Sequence, residues 1–128
     1  MEIIQPPGWA KPRGYSNGVV AAGRVLAIAG QVGWDKDSRM VSDDLVAQFA
    51  RALENVVEIV RAAGGTPESL VRLTLYLTDK QEYLASQKAI GAEYRRVVGR
   101  HFPAMTAVEV KGLVEPGAKV EIDGLAVL

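Results

Sequence analysis

Cysteine is absent from this sequence and histidine nearly so. Without cysteine the protein has no disulfide framework, no thiolate nucleophile and no zinc–thiolate site. The one histidine, His101, has no second histidine or cysteine as a co-ligand, and Ser16 and Ser42 have no histidine near them in the sequence. The sequence therefore predicts neither a metal site nor a Ser-His-Asp triad, and we expect no cofactor.

Net charge and long hydrophobic runs are also missing. Lysine and arginine number 15, and aspartate and glutamate also number 15, so the formal net charge is zero. A balanced charge gives no general attraction to nucleic acid or to an anionic membrane surface. No segment is long and apolar enough to cross a bilayer, and the first residues lack the pattern of a signal peptide. We therefore expect a cytoplasmic protein with no nucleic-acid and no membrane partner.

The remaining composition is that of an ordinary globular protein. Hydrophobic residues make up 48% of the 128 residues and charged residues 23%. The chain contains no repeat, linker or low-complexity segment, so we expect residues 1–128 to form a single domain.

Two segments have the apolar spacing of amphipathic helices. The first follows Ser42 or Asp43 as its N-cap and ends at the Gly64-Gly65 pair. The second begins after Asp79 and continues as one helix to Gly99. The first helix has a stripe of apolar positions at helical spacing: Leu45, Phe49, Leu53, Val56 and Val60.

Five segments are predicted to be strands, which gives the order ββαβαββ. The first two flank Gly23, which is suited to a hairpin turn. The last two, within residues 102–124, are predicted to pair antiparallel because their connection is short. The order predicts an α+β fold with one mixed sheet and both helices on one face. The strand Val25–Ala29 is apolar on both faces, so we expect helices on one side and other subunits on the other.

Glu121 occupies the middle of the last strand, with Val120 and Ile122 on either side. A carboxylate is poorly placed there unless it faces solvent or a cleft. Two interpretations follow: a solvated edge-strand acid, or a cleft acid that positions or activates water.

Several motifs, taken together and in order, resemble the RidA family, also called YjgF or endoribonuclease L-PSP. The C-terminal signature is matched by Pro103-Ala104, by Val108-Glu109-Val110 and by Val120-Glu121-Ile122. Further matching segments are Gly14 to Gly18, Ala29 to Gln31, Gln48 to Asn55, and Leu75 to Asp79. The resemblance implies a chorismate-mutase-like α+β fold, a homotrimer with clefts between subunits, and hydrolysis of reactive enamines or imines.

The chain departs from the family pattern at the anchor for the substrate carboxylate. Met105 stands where the family's deaminases have arginine, and methionine cannot form the bidentate contact of a guanidinium. Losing that contact is expected to weaken carboxylate binding by on the order of 10²-fold. Three further family positions are changed: serine to Ala29, cysteine to Ala107, and the asparagine of the second helix to Gly91. The resemblance therefore implies an apolar, roomier pocket.

The candidate site combines retained and altered positions. Glu121 and Tyr15 are the candidate catalytic residues, although Tyr15 could equally cover the core with its hydroxyl in water. The candidate substrate-binding residues are Ala29, Gly30, Gln31, Gly91, Met105 and Ala107. Arg13, the one cation near Tyr15 in the sequence, is a candidate for the missing anchor.

Two functions are weighed on this basis. The first is an arginine-independent deaminase that acts on an enamine, imine or related small molecule. The second is a non-catalytic trimer whose inter-subunit cleft binds a metabolite. The nuclease activity in one family name is disfavoured by the zero net charge and by the lack of a stripe of basic and aromatic residues.

Overall fold

The computed structural model covers residues 1–128 and confirms the α+β class, with a mixed sheet that carries helices on one face. The strands are β1 (Glu2–Ile4), β2 (Gly18–Val20), β3 (Val25–Gln31), β4 (Leu70–Leu77), β5 (Ala104–Glu109) and β6 (Val120–Val127). The helices are α1 (Leu45–Ala62), α2 (Lys80–Ala85) and α3 (Gln87–Val97), and one 3₁₀ turn spans Pro67–Ser69. None of the helices has both the length and the hydropathy needed to cross a membrane.

The main sheet has four strands in the order β3-β6-β4-β5. The predicted antiparallel pairing of β5 with β6 is wrong, because β4 lies between them and pairs parallel with β5 and antiparallel with β6. The connection after β5 is long enough to pass the end of β4. It is held there by backbone hydrogen bonds from Val110 to Leu77 at 2.8 Å and from Thr78 to Lys119 at 3.1 Å. As the strand with the most buried residues, β4 takes a central position.

The predicted hairpin between β2 and β3 is also wrong. Strand β2 instead pairs with the N-terminal β1 in a separate two-stranded sheet. Gly23 does have a positive φ of 145°, but a Cβ at this position would lie 2.3 Å from the carbonyl oxygen of Leu128. Arg24 and Leu128 exchange two backbone hydrogen bonds. Gly23 therefore permits a close approach to the C-terminal strand.

Helix α1 follows the prediction closely. Its N-cap is Asp44, one residue beyond the predicted candidates, and the Asp44 carboxylate accepts a 3.0 Å hydrogen bond from the amide of Ala47. Ser42 supports this cap by accepting from the Asp44 amide at 2.9 Å. Gly64, with φ of 92°, ends the helix as predicted. All five predicted apolar positions are buried.

The predicted second helix is two helices that meet at Ser86. Asp79 is the N-cap of α2, as expected, and accepts from the amides of Gln81 and Glu82. At the break the Ser86 amide bonds to the carbonyl of Tyr83, three residues back, so the α-helical pattern ends there. The new direction of α3 brings Ile90 and Tyr94 into the core.

The core lies between the sheet and the helix layer. In β4 the buried hydrophobic positions are Leu70, Leu73, Leu75 and Leu77, while Val71 is only half-buried, because the register of β4 against β6 shifts between Leu70 and Arg72. The opposite face of β3 is open in the single chain, and Val25 there is 69% exposed. Coverage of this face by other subunits stays a prediction.

Candidate functional site

A cavity of about 550 Å³ opens between the helices and strand β5. This volume lies within the range of small-molecule sites, which are typically about 300–1,000 Å³. The walls are mainly apolar side chains of α1, β4 and α3, and the segment before β5 adds Phe102. The central part of this wall consists of Phe49, Leu53, Leu73, Leu75, Ile90 and Tyr94.

Strand register places Met105 and Ala107 in this cavity. In the parallel pair of β4 and β5, Leu73 lies opposite Met105 and Leu75 opposite Ala107. Paired residues point to the same face of a sheet, so both side chains face the helices. Met105 is half-buried and packs against the core while it also lines the cavity. Gly91 of α3 contributes to the same lining.

Tyr15 reaches the cavity because the preceding loop is fastened to the start of β5. The amide of Ser16 donates to the carbonyl of Pro103 at 3.0 Å, and the Ser16 hydroxyl donates to the carbonyl of Phe102. Tyr15 remains 40% exposed at the cavity. This position leaves part of the Tyr15 side chain accessible to a ligand or to water.

The ionisable groups of the cavity are cations and tyrosines. Arg13 and Arg95 line it, and the lining contains no aspartate or glutamate. Tyr94 stacks on Phe102 with ring centroids 5.6 Å apart and donates a 2.6 Å hydrogen bond to the carbonyl of His101. Burial raises the pKa of Tyr94 and also that of Tyr83. Both phenols therefore stay neutral at physiological pH, and the cavity is positive overall.

Glu121 and Gly30 form a second group, on the open face of the sheet. Along β6, Val120 and Ile122 face the core, so Glu121 points away from the helices. A Cβ at Gly30 would lie 2.0 Å from a carboxylate oxygen of Glu121. Gly30 therefore makes room for this carboxylate.

The same face carries a hydrogen-bonded pair beside Glu121. The Tyr76 hydroxyl donates to the carboxylate of Asp123 at 3.0 Å, and Tyr76 is the cross-strand neighbour of Glu121. The hydrogen bond to Asp123 and the charge of its carboxylate raise the pKa of Tyr76. Asp123 is therefore already engaged, whereas the Glu121 carboxylate forms no side-chain hydrogen bond or ion pair in the chain.

The last two predicted binding residues lie apart from the cavity. Gln31 lines a shallow groove with Trp34 and Asn55. Its side-chain amide donates to the carbonyl of Ala29 at 3.1 Å, and Ala29 is exposed at the same strand end. The structure thus brings Tyr15, Gly91, Met105 and Ala107 together and separates them from Ala29, Gly30, Gln31 and Glu121.

The two groups cannot contact one small molecule within a single chain. Glu121 and the cavity lie on opposite faces of the sheet, Gln31 lies in its own groove beside α1, and β4 separates β5 from β6. Since neighbouring strands are about 4.8 Å apart, β5 and β6 are about 10 Å apart before the thickness of the sheet is added.

Three polar residues of the cavity, Tyr83, Gln87 and Arg95, were not among the predicted site residues, although helical periodicity points to two of them. Gln87, Gly91 and Arg95 follow one another at i, i+4 and i+8, which places them on one face of α3. Tyr83 joins them from α2. Once Gly91 is a candidate, Gln87 and Arg95 become candidates as well, because they lie four residues before and after it on the same helix face.

The chain is thus an α+β protein with a ligand-sized cavity beside β5, the edge strand of its main sheet. Residues 9–128 match the family model described as endoribonuclease L-PSP. A RutC family protein of Pyrococcus horikoshii is 34% identical over 126 residues, which are 98% of this chain and 96% of that protein. The 2-iminobutanoate/2-iminopropanoate deaminase of Homo sapiens is 31% identical over 128 residues, covering 99% of this chain and 88% of the deaminase.

The solved structures agree with these relatives. YyfB of Yersinia pestis, a protein of unknown function of the conserved Rid protein family, superposes with a TM-score of 0.88 at 34% identity. The alignment covers 99% of this chain and 98% of that one. The chain belongs to the endoribonuclease L-PSP family, also known as the RidA/YjgF family, as its motifs indicated.

Proposed function

We propose that the protein is a Rid-type hydrolytic deaminase for an enamine, an imine or a related small molecule, and that it works without the strand arginine of the family's deaminases. The observation that carries the proposal is the cavity, because it gathers Tyr15, Met105, Ala107 and Gly91 around one ligand-sized volume. These are the positions at which the family resemblance places the substrate. The relatives named as deaminases support the reaction class.

The proposed chemistry is the hydrolysis of a C=N bond. Water adds to the imine carbon, the C–N bond then breaks, and the products are a carbonyl compound and ammonia. Glu121 accepts a proton from the attacking water and returns it to the departing nitrogen, which is general acid–base catalysis. Tyr15 binds the substrate from the cavity side through its hydroxyl.

Such a site requires a second copy of the chain, since the cavity and Glu121 lie on opposite faces of the sheet. We propose a homotrimer in which the Glu121 face of one subunit meets the cavity of the next. The exposed Val25 on this open face supports the proposal, because an apolar strand face is usually covered.

A first experiment measures ammonia release from a panel of imino acids and uncharged enamines. We expect turnover of at least one bulky or uncharged member, and turnover of 2-iminopropanoate lower by about 10²-fold, because Met105 offers no bidentate carboxylate contact. The variant Met105→Arg is expected to recover part of the 2-iminopropanoate activity. Absence of turnover across the whole panel by a folded, purified protein would refute the deaminase.

A second experiment tests whether the site is shared between subunits. Glu121→Gln removes the base, and Met105→Trp fills the cavity, so each folded variant is expected to be inactive. Random mixed trimers formed by co-refolding should regain about one quarter of wild-type turnover, because about one interface in four then combines two intact halves. A mixture as inactive as its parents would show that both halves act within one chain. A monomeric mass in solution would overturn the trimer.

The second candidate is a non-catalytic trimer that binds a metabolite. One observation favours it: the cavity itself contains no carboxylate or histidine that could transfer a proton at neutral pH. Ligands that raise the melting temperature and are never turned over would support this alternative. If no compound binds, neither candidate stands.

A further inference from the structure

Two arginines of the cavity have no acidic partner within the chain. Both line the volume, Arg13 from the loop before Tyr15 and Arg95 from α3. The four ion pairs of the structure are formed by Arg51, Arg96 and Lys119, and none includes these two cations. Neither side chain donates a hydrogen bond to another protein group. Ten guanidinium N–H groups therefore remain free for solvent or a ligand, since each guanidinium carries about five donors.

Arg96, which follows Arg95 in α3, is paired with acids, so the lack of an ion pair is confined to the face of α3 that carries Arg95. Arg96 donates to Glu54 at 2.8 Å and to Glu93 at 2.7 Å, so its charge is used within the fold. Successive residues of an α-helix differ by about 100° in direction. Arg95 consequently points towards the cavity, and the carboxylates that bind Arg96 are directed elsewhere.

Gly91 provides the space that Arg95 uses. A guanidinium nitrogen of Arg95 lies 3.5 Å from the position that a Cβ of residue 91 would take. A longer side chain at this position, such as the asparagine of the family pattern, would compete with the guanidinium for the same space. The glycine and the arginine thus form one arrangement at positions i and i+4 of the helix.

We propose that the cavity binds an organic anion with a bulky apolar body, such as an aromatic or branched-chain carboxylate, and that Arg95, assisted by Arg13, holds its anionic group. The charge follows from two unpaired cations and no acid in the lining, and the apolar body follows from 11 hydrophobic residues among the 16 of the lining. A guanidinium suits a carboxylate because its planar donors match the two oxygens.

This inference deepens the proposed function and rests on the same cavity, but it concerns binding and requires no turnover. In the family pattern the arginine that binds the carboxylate would lie on β5, whereas here the binding arginine, Arg95, lies on α3. The preferred ligand is then larger than 2-iminopropanoate, since its apolar part must fill the volume between Met105 and the helices.

The test compares phenylacetate with phenylacetamide, which has nearly the same shape and no charge. Affinities are measured by isothermal titration calorimetry at low and at physiological salt. We expect phenylacetate to bind only about tenfold more tightly, because Arg95 and Arg13 are exposed and an ion pair at an exposed arginine is weaker than a buried one. Acetate, which lacks the apolar body, should bind more weakly than either aromatic compound.

Variants assign the discrimination to named residues. Arg95→Ala should reduce the preference for phenylacetate to about threefold or less, and Arg13→Ala should lower it to a smaller extent. Arg95→Lys should retain part of it, since a charge remains without the planar geometry. Arg100→Ala is the matched control, because Arg100 is exposed like Arg95 but lies outside the cavity lining, and it should leave both affinities unchanged.

Three results would overturn the proposal. They are equal affinities for the two aromatic compounds, unchanged discrimination in Arg95→Ala, or an equal loss in Arg100→Ala. Ammonia release is measured on the same preparations. Turnover without anion preference would refute this inference and leave the deaminase intact, whereas anion binding without turnover would do the reverse.

Discussion

The cavity and the open face of the sheet differ in nearly every chemical respect. The cavity is concave and apolar, and its charges are the two cations Arg13 and Arg95. The open face is flatter and carries the acids Glu121 and Asp123. The proposed function assigns ligand binding to the cavity of one subunit and proton transfer to the open face of the next.

The largest expected effect on activity comes from replacing Glu121, the proposed base. Glu121→Gln keeps the shape of the side chain and removes its basicity, so kcat for the best substrate should fall by about 10²-fold or more. Asp123→Asn is the control on the same face, because Asp123 is engaged by Tyr76 at 3.0 Å, and kcat should change by only a few-fold. Equal losses in the two variants would contradict a specific role for Glu121.

The next prediction compares how much the cavity wall and the open face each contribute to the free energy of unfolding. Leu53 is fully buried in the wall of the cavity, so Leu53→Ala should lower the free energy of unfolding by about 2–5 kcal/mol. Val25 is 69% exposed on the open face, and Val25→Ala should cost about 0.5 kcal/mol or less in an isolated chain. Urea unfolding of both variants measures the contrast. A cost at Val25 that rises with protein concentration would show that other subunits cover this face.

A smaller effect concerns a buried phenol behind the cavity. Tyr94→Phe removes the 2.6 Å hydrogen bond to the carbonyl of His101 and should destabilise the protein by about 1 kcal/mol. Burial raises the pKa of Tyr94 above its ordinary value of 10.0, so the unfolded phenol ionises at a lower pH than the folded one. The stabilising contribution of the neutral phenol is therefore complete below pH 10 and is lost as the pH rises towards the folded-state pKa.

The measurement for Tyr94 is the difference in unfolding free energy between wild type and Tyr94→Phe from pH 8 to pH 11. Tyr76 and Tyr83 also have raised pKa values, but they are present in both proteins and cancel in the difference. We expect the difference to shrink above about pH 10. A difference that grows with pH would contradict the assignment.

Local features of the fold were predictable because local chemistry decides them. The apolar stripe and the glycine end of α1 are properties of neighbouring residues, and both are confirmed. The family motif around Gln48 was recognised, and the structure shows why it is there. The buried Gln48 amide donates to the carbonyls of Ser42 and Gly117, and its oxygen accepts from the amide of Lys119 at 2.8 Å. The motif joins α1 to the start of β6.

Features that depend on distant partners were not predictable in the same way. A short connection between β5 and β6 suggested a pair, but β4 competes for both strands and has the more apolar surface. Gly23 suggested a hairpin, but its close contact is with Leu128 at the other end of the chain. The cavity lining followed only in part, since Met105 and Ala107 were expected and Arg95 was not. Its role depends on which face of α3 meets the sheet, and the break at Ser86 sets that face.

The finest comparison is between two glycines, one in each region. At Gly91 an added Cβ would lie 3.5 Å from Arg95, an ordinary contact, so Gly91→Ala should stabilise the protein by about 0.5–1 kcal/mol through helix propensity. At Gly30 an added Cβ would lie 2.0 Å from the flexible end of the Glu121 side chain, which can move aside. Gly30→Ala should therefore change the stability by less than about 1 kcal/mol, yet it should lower kcat because the base leaves its position. Thermal unfolding and turnover of the two variants, measured in parallel, test this opposite pattern. If Gly91→Ala lowers kcat at saturating substrate as strongly as Gly30→Ala does, the division between a binding surface and a proton-transfer surface is wrong.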